Sequence, residues 1–195
     1  RRRHSFPTRR SSDLSLSGSG GVLTPTNASI PATGYAGASN VQPVVVDNDL
    51  IFAAARGGHI RGLGYSFDRQ SYVSADLSVR AAHLFDFKTV VDMAFTRAPT
   101  PIVWCVSSNG QMVGMTYVPA EEVRAFHTHE TNGYFESACS VSEGDEDVLY
   151  CVVRRTIGDE DVRYIETMAP RFYTRQEDAF FVDCGVTYEI GRAHV

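Results

Sequence analysis

Two histidines separated by a single residue, His127 and His129, have a spacing that suits a shared metal ion. Alternate residues of a β-strand point to the same face of a sheet, so the two imidazoles could bind one cation together. A zinc site needs at least a third protein ligand, and the sequence does not position Glu130 or Glu136 beside them. Histidine pairs on a strand are more often packed or exposed, and we therefore predict no metal site.

Clusters of carboxylates occur at three places: residues 143–147, Glu121 with Glu122, and residues 159–161. Carboxylate oxygens suit calcium, but the run at 143–147 lacks the alternating ligand spacing of a calcium-binding loop. All three clusters fall in predicted polar turns, where solvated and ionised side chains are the ordinary state. They predict neither a cation site nor an acid/base pair.

The sequence offers no nucleophile with a base beside it. It holds no G-x-S-x-G motif, and Cys139 and His127 are close only along the chain. The glycine-rich stretch at 56–64 precedes a predicted strand, whereas a phosphate-binding loop needs a helix at that point. We therefore predict that the protein is not an enzyme and has no catalytic residue, cofactor or metal.

The four cysteines, Cys105, Cys139, Cys151 and Cys184, show no C-x-x-C pairing and lie in apolar or β-like runs. This spacing argues against a zinc ribbon. It predicts reduced thiols packed as small apolar side chains in a protein assembled in a reducing cytoplasm, although the sequence leaves a disulfide open.

The two ends of the chain differ from the rest. Residues 4–14 and 189–195 resemble in-frame translations of short sequencing adapters. We therefore expect residues 1–14 and 189–195 to lie outside the natural protein and the gene to run past both ends. Leaving them out removes six arginines and two carboxylates, so 12 basic and 21 acidic side chains remain and the net charge changes from −5 to −9. Such a chain repels a phosphate backbone, which argues against nucleic-acid binding as its role.

Residues 15–40 are rich in Ser, Gly and Pro and are predicted to be loop or extended chain. Residues 41–188 have an all-β pattern of short β-branched and aromatic runs between turn signals. One short helix is predicted at 78–84, after Asp76, and a further single turn at 121–123. No apolar run approaches the ~18 residues that a membrane span requires.

An internal repeat organises the β-rich part. Residues 50–65 align without gaps with residues 102–117 at an offset of 52, which matches Gly62 with Gly114. A third copy begins at residue 148, at an offset of 46 from the second, and has a longer turn. A β-rich unit that recurs every ~40–50 residues is typical of propeller blades. We therefore predict antiparallel β-hairpin repeats that form part of a β-propeller, with at most one or two short helices.

A series of short motifs follows the same part of the chain: QPV at 42–44, LIF at 50–52, RGG at 56–58, IVWCV at 102–106, NGQMVGMTY at 109–117, FHTH at 126–129 and EDVLYCVVRRT at 146–156. This ordered series resembles a family of tailed-bacteriophage proteins, the tail tubular or nozzle proteins and the packaged-DNA stabilisation proteins. The likeness covers the chain from about residue 15 to residue 166.

The resemblance implies a subunit of a hexameric ring below the portal of the virion tail, assembled in the cytoplasm of a bacterial host. It implies contacts with other tail and portal-adaptor proteins, non-specific passage of DNA, no membrane and no catalysis. An acidic wall suits such a passage, because it repels phosphate and lets DNA slide. The residues leave an alternative open, a propeller-type glycan-binding module or enzyme domain with a site at the channel mouth. A bacterial surface repeat protein, which would need a secretion signal upstream, is a third interpretation.

Overall fold

The computed structural model describes residues 17–18, 28–29, 36–176, 179 and 182–185. The predicted boundaries at residue 14 and residues 188–189 lie outside the described residues. Within the predicted extended segment at 15–40, the described residues form a two-residue strand pair, and Ala38 bridges to Ala54. No helix long and apolar enough to cross a membrane is found in the described part of the chain.

Antiparallel β-strands make up almost all of the regular structure, as the sequence predicts. The strands are β1 (Ser17–Gly18), β2 (Ala28–Ser29), β3 (Val44–Val46), β4 (Asp49–Ala53), β5 (Ile60–Ser66), β6 (Ser71–Asp76), β7 (Val90–Thr96), β8 (Ile102–Ser107), β9 (Met112–Val118), β10 (Val123–His129), β11 (Tyr134–Glu143), β12 (Glu146–Ile157) and β13 (Glu160–Thr167). The all-β prediction is therefore confirmed.

The helix predicted at 78–84 is a short 3-10 helix at Val79–Leu84, and the turn predicted at 121–123 lies two residues earlier, as a 3-10 helix at Pro119–Glu121. Before the first of them, the Asp76 carboxylate accepts hydrogen bonds from the backbone N–H and the hydroxyl of Ser78. After the second, Glu122 has a left-handed backbone conformation, which turns the chain into β10. Both segments are connectors and not layers of the fold.

The strands β3 to β13 form three sheets in which each strand pairs with its neighbours in the sequence. The first sheet contains β3–β6, the second β7–β10 and the third β11–β13. Short turns join the strands of the hairpins. Glycines at positive φ, such as Gly110 and Gly158, lie in these turns. Each sheet is thus an up-and-down meander that the local sequence specifies.

The second sheet lies between the other two. On β8, Val103 and Cys105 point into an apolar core shared with the first sheet, which includes Ile51 and Ile60. Ile102, Trp104 and Val106 point into a second core, shared with Leu149 and Val153 of the third sheet. All six residues of β8 are consequently buried.

The strand register corrects the predicted repeat by one residue. Gly62 and Gly114 are matched by the offset of 52, and β5 and β9 have the same limits at that offset. Across the hairpin, however, Gly62 pairs with Ile51, whereas Gly114 pairs with Trp104. The equivalent of Trp104 is therefore Ile51 and not Phe52, because the turn of the second hairpin is one residue shorter. With this correction, equivalent side chains of the first and second sheets point the same way along the stack.

We expect Ile102→Ala to destabilise the folded chain by about 2–5 kcal/mol, because it removes a fully buried side chain between the second and third sheets. Ile157→Ala is the matched control, since Ile157 is 55% exposed at the end of β12. Unfolding in urea, followed by the fluorescence of Trp104, measures both variants. Equal destabilisation by the two substitutions would contradict the two-core arrangement.

Candidate functional site

The histidine pair lies on β10, the outermost strand of the second sheet, and on the face turned toward the third sheet. The His127 Nδ1 atom is 2.8 Å from the His129 Nε2 atom, so one imidazole donates a hydrogen bond to the other. Both rings meet the Trp104 ring edge-on, with centroids 5.5 and 5.2 Å away. Gly114 pairs with His127 across the strands, and a Cβ atom there would collide with the imidazole.

The surroundings of the pair favour uncharged imidazoles. Burial lowers the pKa of His127, and the Arg171 guanidinium lowers it further. Burial, His127 and Arg171 together lower the pKa of His129 to about 4. Arg171 itself lies over the Trp104 ring, 5.6 Å from its centroid. These two histidines therefore act as packed, hydrogen-bonded neutral groups at neutral pH.

The carboxylates considered as a third metal ligand bind other side chains. Glu130 accepts a hydrogen bond from the Gln111 side chain, and Glu136 binds Arg154 and Arg163. Among the described residues, no group of three or more possible metal ligands is found. The structure brings His127 and His129 together, but with Trp104 and Arg171 beside them and not with a carboxylate.

The acidic run at 143–147 spans the turn between β11 and β12, and one of its carboxylates, that of Asp147, binds the second sheet. The Asp147 carboxylate accepts hydrogen bonds from the backbone N–H groups of Arg97 and Ala98, at 2.6 and 3.2 Å. A hydrogen bond from Ser142 and those from Arg97 and Ala98 lower the pKa of Asp147. Asp147 thus ties the third sheet to the end of β7, a role that the sequence interpretation missed.

The cysteine prediction was wrong for two of the four side chains. Cys105 and Cys151 are buried, and burial raises the pKa of each thiol to about 12. Cys139 and Cys184 are exposed, and all four are free thiols. Cys139 lies on the outer face of the third sheet, so the structure does not bring it to His127.

The outer face of the third sheet carries apolar side chains at one end and charged side chains at the other. It carries an apolar row that includes Val148, Tyr150, Val152 and Ile165, and Ile165 is 78% exposed. Toward the other end of the same face, Arg154 and Arg163 form ion pairs with Glu136 and Asp161. The opposite face of the sheet, with Leu149, Cys151 and Val153, is buried against the second sheet.

This partly exposed row is the repeat equivalent of a buried one. At the offset of 46, the β12 residues Val148, Tyr150 and Val152 correspond to Ile102, Trp104 and Val106 of β8. The third sheet covers Ile102, Trp104 and Val106 of β8, and within the described residues nothing comparable covers the β12 row. An uncovered apolar sheet face of this kind marks an interaction surface. We refer to it as the open face.

A polar depression lies beside the Asp147 link, with a volume of about 410 Å³. Its walls include Phe95, Arg97, Ser140, Asp145 and Glu146. Hydroxyl, carboxylate and guanidinium groups around one aromatic ring could bind a polar small molecule such as a sugar.

Comparison with known proteins leaves the function to be argued from this geometry. No protein-family model matches the chain, and a search of curated proteins finds no match. The likeness to tail tubular and nozzle proteins therefore stays a prediction from sequence motifs.

We expect the histidine pair to make the protein less stable as the pH falls from about 6.5 to about 4. The unfolded chain takes up a proton near pH 6.5, whereas the folded chain holds His129 neutral down to about pH 4. The stabilisation is therefore complete above pH 6.5 and declines through this window. His129→Phe should flatten the fall in the thermal unfolding midpoint between pH 7 and 4.5. An unchanged slope in the variant would count against burial of the neutral pair.

Proposed function

We propose that the protein is a non-enzymatic structural subunit that assembles by adding sheets to its stack, as a component of a bacteriophage tail tube or nozzle ring. The observation that carries this proposal is the open face of the third sheet. Its apolar row repeats the row by which the second sheet binds the third. A further sheet or a neighbouring subunit would bury it in the same way.

The energetics favour covering this face. Full burial of an exposed aliphatic side chain such as Ile165 contributes about 1.5–3 kcal/mol, and the partly exposed side chains of the row add smaller contributions. The blades of a β-propeller are likewise small twisted sheets that pack against one another face to face. The three stacked meanders therefore support the predicted propeller.

The charge balance supports passage of DNA better than binding of DNA. With the adapter-like ends left out, the net charge of −9 repels phosphate, so a ring of such subunits would offer DNA little grip. In this proposal the partners are further copies of the chain and neighbouring tail and portal-adaptor proteins. The location is the virion tail.

A second candidate function is glycan binding, which the polar depression beside Asp147 favours. Asp145, Glu146, Ser140 and Phe95 supply the mixture of hydrogen-bonding groups and one aromatic ring that sugars bind. Titration of the full chain with an oligosaccharide array distinguishes the two candidates, because a tail component should show no saturable carbohydrate binding.

We expect Ile165→Asp to weaken self-association of the full chain at least tenfold, because it places a charge in the open face. Ile165 is 78% exposed, so the substitution should leave the fold intact. Phe67→Asp is the control, since Phe67 is 86% exposed in the turn between β5 and β6. Sedimentation velocity over a range of concentrations measures the assembly. A wild-type chain that stays monomeric, or a variant that assembles like the wild type, would refute the proposal.

A further inference from the structure

A basic cleft lies at the junction of the first two sheets, between the 3-10 helix Val79–Leu84 and β10. Its volume is about 400 Å³, and Arg80, His83 and Arg124 line it. Leu84 and Phe126 supply apolar walls, and no residue that lines the cleft is acidic. In a chain with an excess of carboxylates, this cleft concentrates positive charge around an apolar surface.

Aromatic rings beneath the cleft contact two of its lining side chains, Phe126 and Arg124. The Phe126 ring meets the buried Phe85 ring edge-on, with centroids 5.7 Å apart. The Arg124 guanidinium lies over the Tyr117 ring, 5.9 Å from its centroid. None of the ion pairs among the described residues uses Arg80, His83 or Arg124. The Arg80 and Arg124 guanidinium groups are therefore available to a partner that carries carboxylate or phosphate groups.

The tip of the β12–β13 hairpin has the complementary chemistry. The pairing of these two strands continues to Ile157 and Glu160, whereas the pairing of β12 with β11 ends at Arg154. The hairpin thus extends past its own sheet. At its tip, Ile157 is 55% exposed and is followed by the exposed carboxylates of Asp159 and Glu160.

These carboxylates differ from the other acidic turn of the third sheet. The Asp147 carboxylate accepts a hydrogen bond from the backbone N–H of Arg97. Just after the tip, the Asp161 carboxylate accepts hydrogen bonds from Arg154 and Thr156. Asp159 and Glu160 take part in none of the ion pairs among the described residues. One aliphatic side chain beside two uncommitted carboxylates matches an apolar cleft lined by two arginines and a histidine.

We propose that the β12–β13 hairpin tip of one copy docks in the basic cleft of a neighbouring copy. This inference rests on the proposed self-association and names a second contact for it. The tip belongs to the third sheet, and the cleft belongs to the junction of the first and second sheets. The contact is therefore between different surfaces, and repeating it produces a ring where the rotation closes and a filament where it does not.

Paired charge reversals in the full chain test the contact. Arg80→Glu and Asp159→Arg should each weaken self-association about tenfold or more, because each places like charges together. The two substitutions combined in one chain should restore most of the loss, which a merely structural effect of either would not do. Asp145→Arg, on the other acidic turn, is the matched control and should leave assembly unchanged.

The outcomes separate this inference from the proposed function. If the Arg80→Glu and Asp159→Arg variants assemble like the wild type while the Ile165→Asp variant does not, assembly through the open face is supported and the hairpin contact is wrong. If the combined variant shows no recovery, the hairpin contact is also wrong. A short DNA duplex that binds the wild-type chain but not Arg80→Glu, with assembly equal in both, would make the cleft a phosphate site and overturn the contact. A monomeric wild-type chain would refute both proposals.

Discussion

Burial of the second sheet on both faces is the constraint on which the rest of the structure depends. Adjacent residues of a strand point to opposite faces, so a strand in the middle of a stack must be apolar at every position. The run from Ile102 to Val106 meets this requirement, whereas β12 alternates between buried and partly exposed positions. The pattern of β8 therefore favours a place for the second sheet between the other two.

Apolar burial brings sheets together, but a few polar links determine how they meet. Between the first and second sheets, the Tyr117 hydroxyl donates to the Asp49 carboxylate at 2.6 Å. Between the second and third sheets, the backbone N–H of Ala138 donates to the Asp92 carboxylate at 3.0 Å, and each of these residues follows a bulge in its strand. Such bonds require one register, since a shifted sheet would leave buried polar groups without partners.

The sequence predicts the local elements well and their contacts less well. Glycines and β-branched runs reveal the hairpins, because turn geometry and strand propensity are local properties. The ungapped alignment matched Trp104 with Phe52, one residue away from its true equivalent. Pairing across a hairpin depends on the length of the turn, which an ungapped alignment does not show. Asp147 was interpreted as part of a solvated turn because its partners, Arg97 and Ala98, lie about 50 residues away in the chain. The open face became visible only when the order of the three sheets was known.

The two ends of the stack expose different apolar side chains, and on the outer face of the first sheet these are Tyr65 and Tyr72, each 47% exposed. On the outer side of the first sheet, Phe52 is only 1% exposed, and Arg61 donates a hydrogen bond to Ser74. The outer side of the third sheet instead presents the uncovered apolar row that includes Ile165. In the proposed assembly this row packs on a different surface of a neighbouring subunit, which makes the contact heterologous. Heterologous contacts between identical subunits generate rings where the rotation closes and filaments where it does not, and the proposed ring is the closed case.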